Sequence, residues 1–171
     1  MEQMRQIYRT KDPDVTLRFA QEQDVPTILR LIKELAKYEK MESDVAATEE
    51  TLRDSLLRKK DAEVVLAELH GEPVGYALFF HNFSTFLGRK GLYLEDIFVL
   101  PESRGRGIGK TMLSFLARLA VERGCGRMEW ICLDWNKPSA DFYKAMGANP
   151  QEHWRIFRLD GSALPELAAT F

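Results

Sequence analysis

One stretch of this chain has the residue types and spacing to hold an anion: Arg104-Gly105-Arg106-Gly107-Ile108-Gly109-Lys110. A helix beginning there presents unpaired backbone N–H groups and the positive end of its dipole, and glycines let a phosphate approach them closely. Spacing separates the candidate ligands. A dinucleotide fingerprint, GxGxxG, needs glycine at position 110, where Lys110 stands, and the next strand has no acid at the ribose-binding offset. A Walker A loop shares the ending Gly109-Lys110-Thr111 but needs glycine in place of Arg104. Arg104, Gly107 and Gly109 do satisfy a third pattern: arginine or glutamine, any two residues, glycine, any residue, then glycine or alanine. A flexible Gly/Arg surface turn is the alternative without chemistry. Just ahead of the loop, Leu92-Tyr93-Leu94-Glu95-Asp96-Ile97-Phe98-Val99-Leu100 is apolar enough for a central strand yet carries adjacent acids. A regular strand puts Glu95 and Asp96 on opposite faces, so only one can reach a given site unless the strand bulges.

The elements that must position these residues are legible by periodicity. Val15-Thr16-Leu17-Arg18-Phe19 alternates like a half-buried strand. Asp24 can cap a helix with Pro26 in its first turn and Ile28, Leu31, Ile32 and Leu35 on one stripe, running to about Tyr38. A second helical stretch starts at Thr48. Strands at Val64–Leu69 and Val74–Phe80 flank His70-Gly71-Glu72-Pro73 as a hairpin. Met112, Leu113, Leu116 and Leu119 share one face of the helix after the glycine loop, which ends near Gly124. Met128–Leu133 reads as a strand, Ser139–Met146 as a short helix closed by Gly147, and Trp154–Leu159 as a final strand. The expected order is βααβββαβαβ, a mixed α/β fold with a mixed sheet packed between helices. Residues 1–14 are polar and read as an arm before a single domain spanning 15–171.

Composition narrows the function. A formal net charge of −2 provides no global positive field for a polyanion, so nucleic acid is not an expected partner. No signal-peptide stretch and no run of ~20 apolar residues is present. The expectation is a cytoplasmic protein without a membrane partner. Cys125 and Cys132 fit neither a CxxC redox pair nor a zinc site, and read as buried free thiols; no metal is expected.

The segments around the loop carry a family resemblance. Leu92–Val99 resembles the YLED-containing fourth strand of the spermidine/spermine (diamine) acetyltransferases of the GNAT superfamily, and Leu31-Ile32-Lys33-Glu34-Leu35-Ala36-Lys37-Tyr38-Glu39 resembles their first helix. Asp134-Trp135-Asn136-Lys137-Pro138-Ser139-Ala140-Asp141-Phe142-Tyr143-Lys144 is similar to their WN-x-P-S…FY-K segment, and the glycine loop matches their pyrophosphate loop. The blocks follow the family's order over residues 15 to about 160.

The resemblance implies a GNAT fold, acetyl-CoA as the acetyl donor, and a homodimer. It implies that the strands at 92–100 and 128–133 splay apart around the pantetheine, which pairs with the main chain of Ile97, Phe98 and Val99. Amides of Gly105, Arg106, Gly107, Ile108, Gly109 and Lys110 would hold the pyrophosphate next to Arg104, with Asn136, Pro138 and Ser139 lining the other side. Tyr143 matches the tyrosine beside the thioester sulfur, where a phenol with pKa near ~10 can donate a proton to the departing thiolate. Glu95 matches the carboxylate facing the amine, whose ammonium must lose a proton before it attacks. Asp96 is left as structural. Tyr38, Glu39 and Glu152 match polyamine contacts, and Glu129, Trp130 and Ile131 a substrate-lining stretch. Leu133-Asp134-Trp135-Asn136 is closer to the thialysine branch, whereas Lys37-Tyr38-Glu39 and Pro138-Ser139 are closer to the polyamine branch. Diamines, polyamines and aminoalkyl amino acids therefore remain open as acceptors. The rival readings are a catalytically silent acyl-CoA sensor of the same fold and a P-loop nucleotide-binding protein.

Overall fold

The computed structural model describes residues 6–171, which form two compact units, residues 6–131 and 132–171. The larger unit holds a sheet of strands in the order β1 (Ile7–Arg9), β2 (Val15–Phe19), β3 (Glu63–Leu69), β4 (Glu72–Ser84), β5 (Arg89–Val99) and β6 (Met128–Glu129). Neighbours from β1 to β5 are antiparallel, and β6 joins β5 in parallel. His70 and Gly71, at φ 53° and 85°, make a two-residue turn between β3 and β4. Left-handed backbone at both central residues is what a tight hairpin needs to match strand twist.

Helix α1 (Val25–Glu39) and helix α3 (Ile108–Glu122) cover the sheet, while α2 (Glu49–Leu52) continues into a π-helical turn to Lys59. Facing residues Arg18, Leu66, Tyr76 and Phe98 mark one side of the sheet. There Tyr38 of α1 and Phe98 share the guanidinium of Arg104, at 4.8 and 5.5 Å from the ring centroids. On the opposite side Met112 of α3 comes up to Gly75. The core is mainly apolar, with Val25, Ile28, Leu31, Val65, Leu66, Tyr76, Phe79, Leu92, Met112 and Leu116 fully buried. Pro26 sits in the first turn of α1 as expected, but the Asp24 carboxylate makes no cap to that helix. It accepts instead from the Gln21 amide and from Arg18.

Several expectations need correcting. The arm contributes a strand: β1 pairs Ile7 with Arg18 and Tyr8 with Leu17, and Tyr8 packs its ring 4.7 Å from that of Phe115 on α3. Residues 1–5 of that arm lie outside the described residues. The strand at 128–133 is paired only at Met128–Glu129. Cys125 is half-buried and Cys132 exposed, and neither forms a disulfide.

The smaller unit holds α4 (Lys137–Ala145) and α5 (Ala163–Ala168). Asn136 caps α4, its Oδ1 accepting from the Ser139 amide at 3.3 Å. Trp154–Leu159, expected as a strand, has no regular structure. A strand exists only through backbone bonds to a neighbour, and the described residues of this unit offer none.

Candidate active site

The pairing of β4 with β5 explains the adjacent acids. Leu78 stands opposite Asp96 and Phe79 opposite Leu94, so Glu95 is an extra, unpaired residue. This is a β-bulge. Successive residues Leu78 and Phe79 face opposite ways, so Asp96 and Leu94 do too, although they are separated by two positions. Leu94 faces the buried side with Phe79, Glu95 is exposed, and Asp96 turns to the side of Tyr76. The Tyr76 hydroxyl donates to Asp96 Oδ2 at 3.0 Å. Burial, then repulsion from Glu95 and Glu39, pushes the Asp96 carboxyl up to about 6, against the opposing effect of the Tyr76 hydrogen bond. Burial and the adjacent Asp96 carboxylate likewise hold the Tyr76 phenol well above its ordinary range. Burial also raises Glu39 at the end of α1. Glu39, Glu95 and Asp96 thus lie near one another; the sequence reading takes the first two as acceptor contacts, leaves Asp96 as structural and does not single out Tyr76. The available signal is a tyrosine inside an apolar strand, since a buried hydroxyl needs a partner.

Beside this neighbourhood the sheet opens. Pairing of β5 with β6 stops at Tyr93 and Glu129, while β5 continues to Val99. Among the described residues no strand pairs with Ile97, Phe98 or Val99 on the β6 side, and their main chain is left as an edge. The edge leads through a 3-10 turn, Pro101–Ser103, to the glycine loop. Gly105 and Gly107 have φ 81° and 74°, a left-handed backbone that disfavours any side chain, and Gly107 is the N-cap of α3. No side chain caps α3, so the first amides of the helix, from Ile108 to Lys110, face outward as an anion cradle would require.

The arginines of the loop serve the protein itself. Arg104 donates from Nε to the Val99 carbonyl at 2.9 Å and stacks between Tyr38 and Phe98, tying the loop to β5 and α1. Arg106 reaches Asp12 and Asp14 at 3.4 and 3.3 Å. Glu129 is bound by Asn82 Nδ2 and Arg127 Nε, both at 2.9 Å. Trp130 is half-buried and Ile131 exposed next to it. In the smaller unit, Pro138, Ser139 and Tyr143 lie on α4, with the Tyr143 ring 5.4 Å from that of Phe142, and Glu152 is exposed outside any helix. No group of His, Cys, Asp and Glu able to hold a metal occurs among the described residues.

Comparison with known proteins gives this geometry a family. The Acetyltransferase (GNAT) family matches residues 26–148. The chain is 43% identical over 166 residues to thialysine N-epsilon-acetyltransferase of Bos taurus, covering 90% of this chain and 97% of that one. It is 31% identical to L-ornithine N5-acetyltransferase NATA1 of Arabidopsis thaliana, over 86% and 85% of the two chains. A solved integron cassette protein from V. cholerae superposes with a TM-score of 0.75 at 26% identity, over 91% of this chain and 98% of that one. A main-chain edge without a strand partner among the described residues, a glycine-capped helix start and these relatives agree, and the chain belongs to the GNAT acetyltransferase family as an acetyl-CoA-dependent N-acetyltransferase.

Proposed function

We propose that the protein moves the acetyl group of acetyl-CoA directly to a primary amine of a small cationic acceptor, of the class that includes thialysine, ornithine and short diamines or polyamines. The observation that carries this reading is the parting of β6 from β5 after Tyr93, which leaves the main chain of Ile97–Val99 open beside the bare N-terminus of α3. Pantetheine amides would bond that edge, and the pyrophosphate would sit on the amides from Gly105 to Lys110. Asn136, Pro138, Ser139 and Tyr143 would complete the cofactor site, with the Tyr143 hydroxyl protonating the thiolate. The cluster of Glu39, Glu95 and Asp96 supports a cationic acceptor, because like charges held together favour a counter-ion. In this reading the catalytic domain includes β1 of the arm as well as residues 15–171, in a cytoplasmic homodimer.

The test combines binding and turnover. CoA should raise the melting temperature while ATP and NAD do not, since only a ligand of the native state stabilises it. Gly107→Glu, which adds a side chain and a negative charge to the cradle, should abolish that shift. Release of CoA thiol from acetyl-CoA should depend on an added amine from the acceptor class. Unchanged CoA affinity in Gly107→Glu would remove the loop from the site, and amine-independent thiol release would remove the acceptor.

A further inference from the structure

We infer that the adjacent acids of β5 divide the work: Glu95 holds the acceptor's positive charge, and Asp96, oriented by the hydroxyl of Tyr76, takes the proton that the ammonium must lose. The inference deepens the proposed function and rests on it.

The bulge is the first support. Without it Asp96 would share a face with Leu94, whose side chain is 1% exposed; with it, Asp96 turns to the side of Tyr76 and the end of α1. Tyr76 is fully buried, and its hydroxyl spends its hydrogen bond on Asp96 Oδ2, engaging one of the two carboxylate oxygens. The contact is diagonal across the ladder, since Tyr76 faces Phe98 and Leu78 faces Asp96. Asp96 itself is half-buried, so it is not sealed from solvent. The charged groups around it are Glu95 on β5 and Glu39 from α1, and Tyr76 meets it from β4. Among the described residues no basic side chain pairs with Asp96; nearby Arg104 is committed to Val99 and the rings of Tyr38 and Phe98.

The chemistry follows from that setting. Raised to about 6, the carboxyl is still ionised at neutral pH, and it is about a hundredfold more basic than an ordinary aspartate. An arriving cation brings the charge the cluster lacks. One proton passes from the ammonium to Asp96, and the neutral amine forms a C–N bond to the acetyl carbon as the C–S bond breaks. The thiolate takes a proton from Tyr143, which is replenished from solvent. The nitrogen releases its second proton and Asp96 its own, so that amide, CoA thiol and one net proton are the products.

The experiment is a kcat/KM profile over about pH 5 to 9 for the parent, Asp96→Asn, Tyr76→Phe and Glu95→Gln, with an amine the parent acetylates and CoA-induced stabilisation as the control for folding. Asp96→Asn should lose about 100- to 10,000-fold and the acid limb assigned to Asp96, with partial recovery for an acceptor amine of lower pKa. Tyr76→Phe removes a bond that favours the anion, and should move that limb to higher pH; a merely structural tyrosine would change melting temperature and leave the limb in place. Glu95→Gln should raise KM and keep the limb. A limb that persists in Asp96→Asn, vanishes in Glu95→Gln, or stays put in Tyr76→Phe overturns the inference alone. If Asp96→Asn fails to fold, the other variants decide by the same criteria. Absence of turnover by the parent with every amine overturns the proposed function, and this inference with it.

Discussion

Asp96 lowers the stability of the protein that contains it. Its carboxyl titrates at about 6 in the folded chain against 3.8 for an ordinary aspartate, so the folded state prefers the neutral form. The linkage has a definite sign: no penalty exists below the unfolded pKa, the penalty grows as pH rises from about 4 to about 6, and it is constant above. A displacement of that size corresponds to at most about 3 kcal/mol. Asp96→Asn should therefore melt above the parent at pH 7, and thermal scans across pH should show the gap closing toward about pH 4. A pH-independent gap would mean that burial of Asp96 has no electrostatic cost. The sequence exposes the two acids and the family resemblance selects Glu95, but alternation along one strand cannot reveal a bulge, which is defined only by the pairing of Leu78 and Phe79 with the opposite strand.

Elements whose signal is local are the ones the sequence predicts well. The stripe of Ile28, Leu31, Ile32 and Leu35 and that of Met112, Leu113 and Leu116 are the buried faces of α1 and α3, or close to them. Strands depend on partners. β1 hides in a polar arm because its reason to form is the edge of β2 and the rings of Phe19 and Phe115, which no local window contains. Trp154–Leu159 has strand-like residues and no described partner. Where β2 meets α1 the chain uses charge: Arg18, 3% exposed, binds Asp24 at 2.6 and 2.8 Å and Glu68 at 2.7 Å. Such a network fixes the approach of the helix to the strand, and loss of Asp24 leaves buried guanidinium N–H groups and the Gln21 amide without that acceptor. Asp24→Ala should cost about 3–5 kcal/mol in denaturant unfolding, whereas Lys137→Ala, breaking an exposed i,i+4 pair with Asp141, should cost under ~1 kcal/mol. Equal costs would show that the Arg18 network is not the anchor of α1.

Over the whole molecule a net charge of −2 conceals a local excess of acid, with Glu39 and Glu95 both raising the carboxyl of Asp96. If that excess draws in the acceptor, Glu39→Gln should raise KM more for a long polyamine than for thialysine, and added salt should blunt the difference, because exposed charges are screened within about 10 Å at ~0.1 M. Kinetics of the parent and variant at two ionic strengths decide this; a KM increase independent of both amine length and salt would make Glu39 a packing residue. The same sheet carries a second polarity. β1 is the outermost strand, yet Tyr8 rests on α3, and Asp12 and Asp14 at the far end of the connection pair with Arg106 in the glycine loop. Residues 7–14 are thus tied both to α3 and to the glycine loop, so that, with the pyrophosphate on that loop as proposed, deleting them should change acetyl-CoA affinity as well as stability.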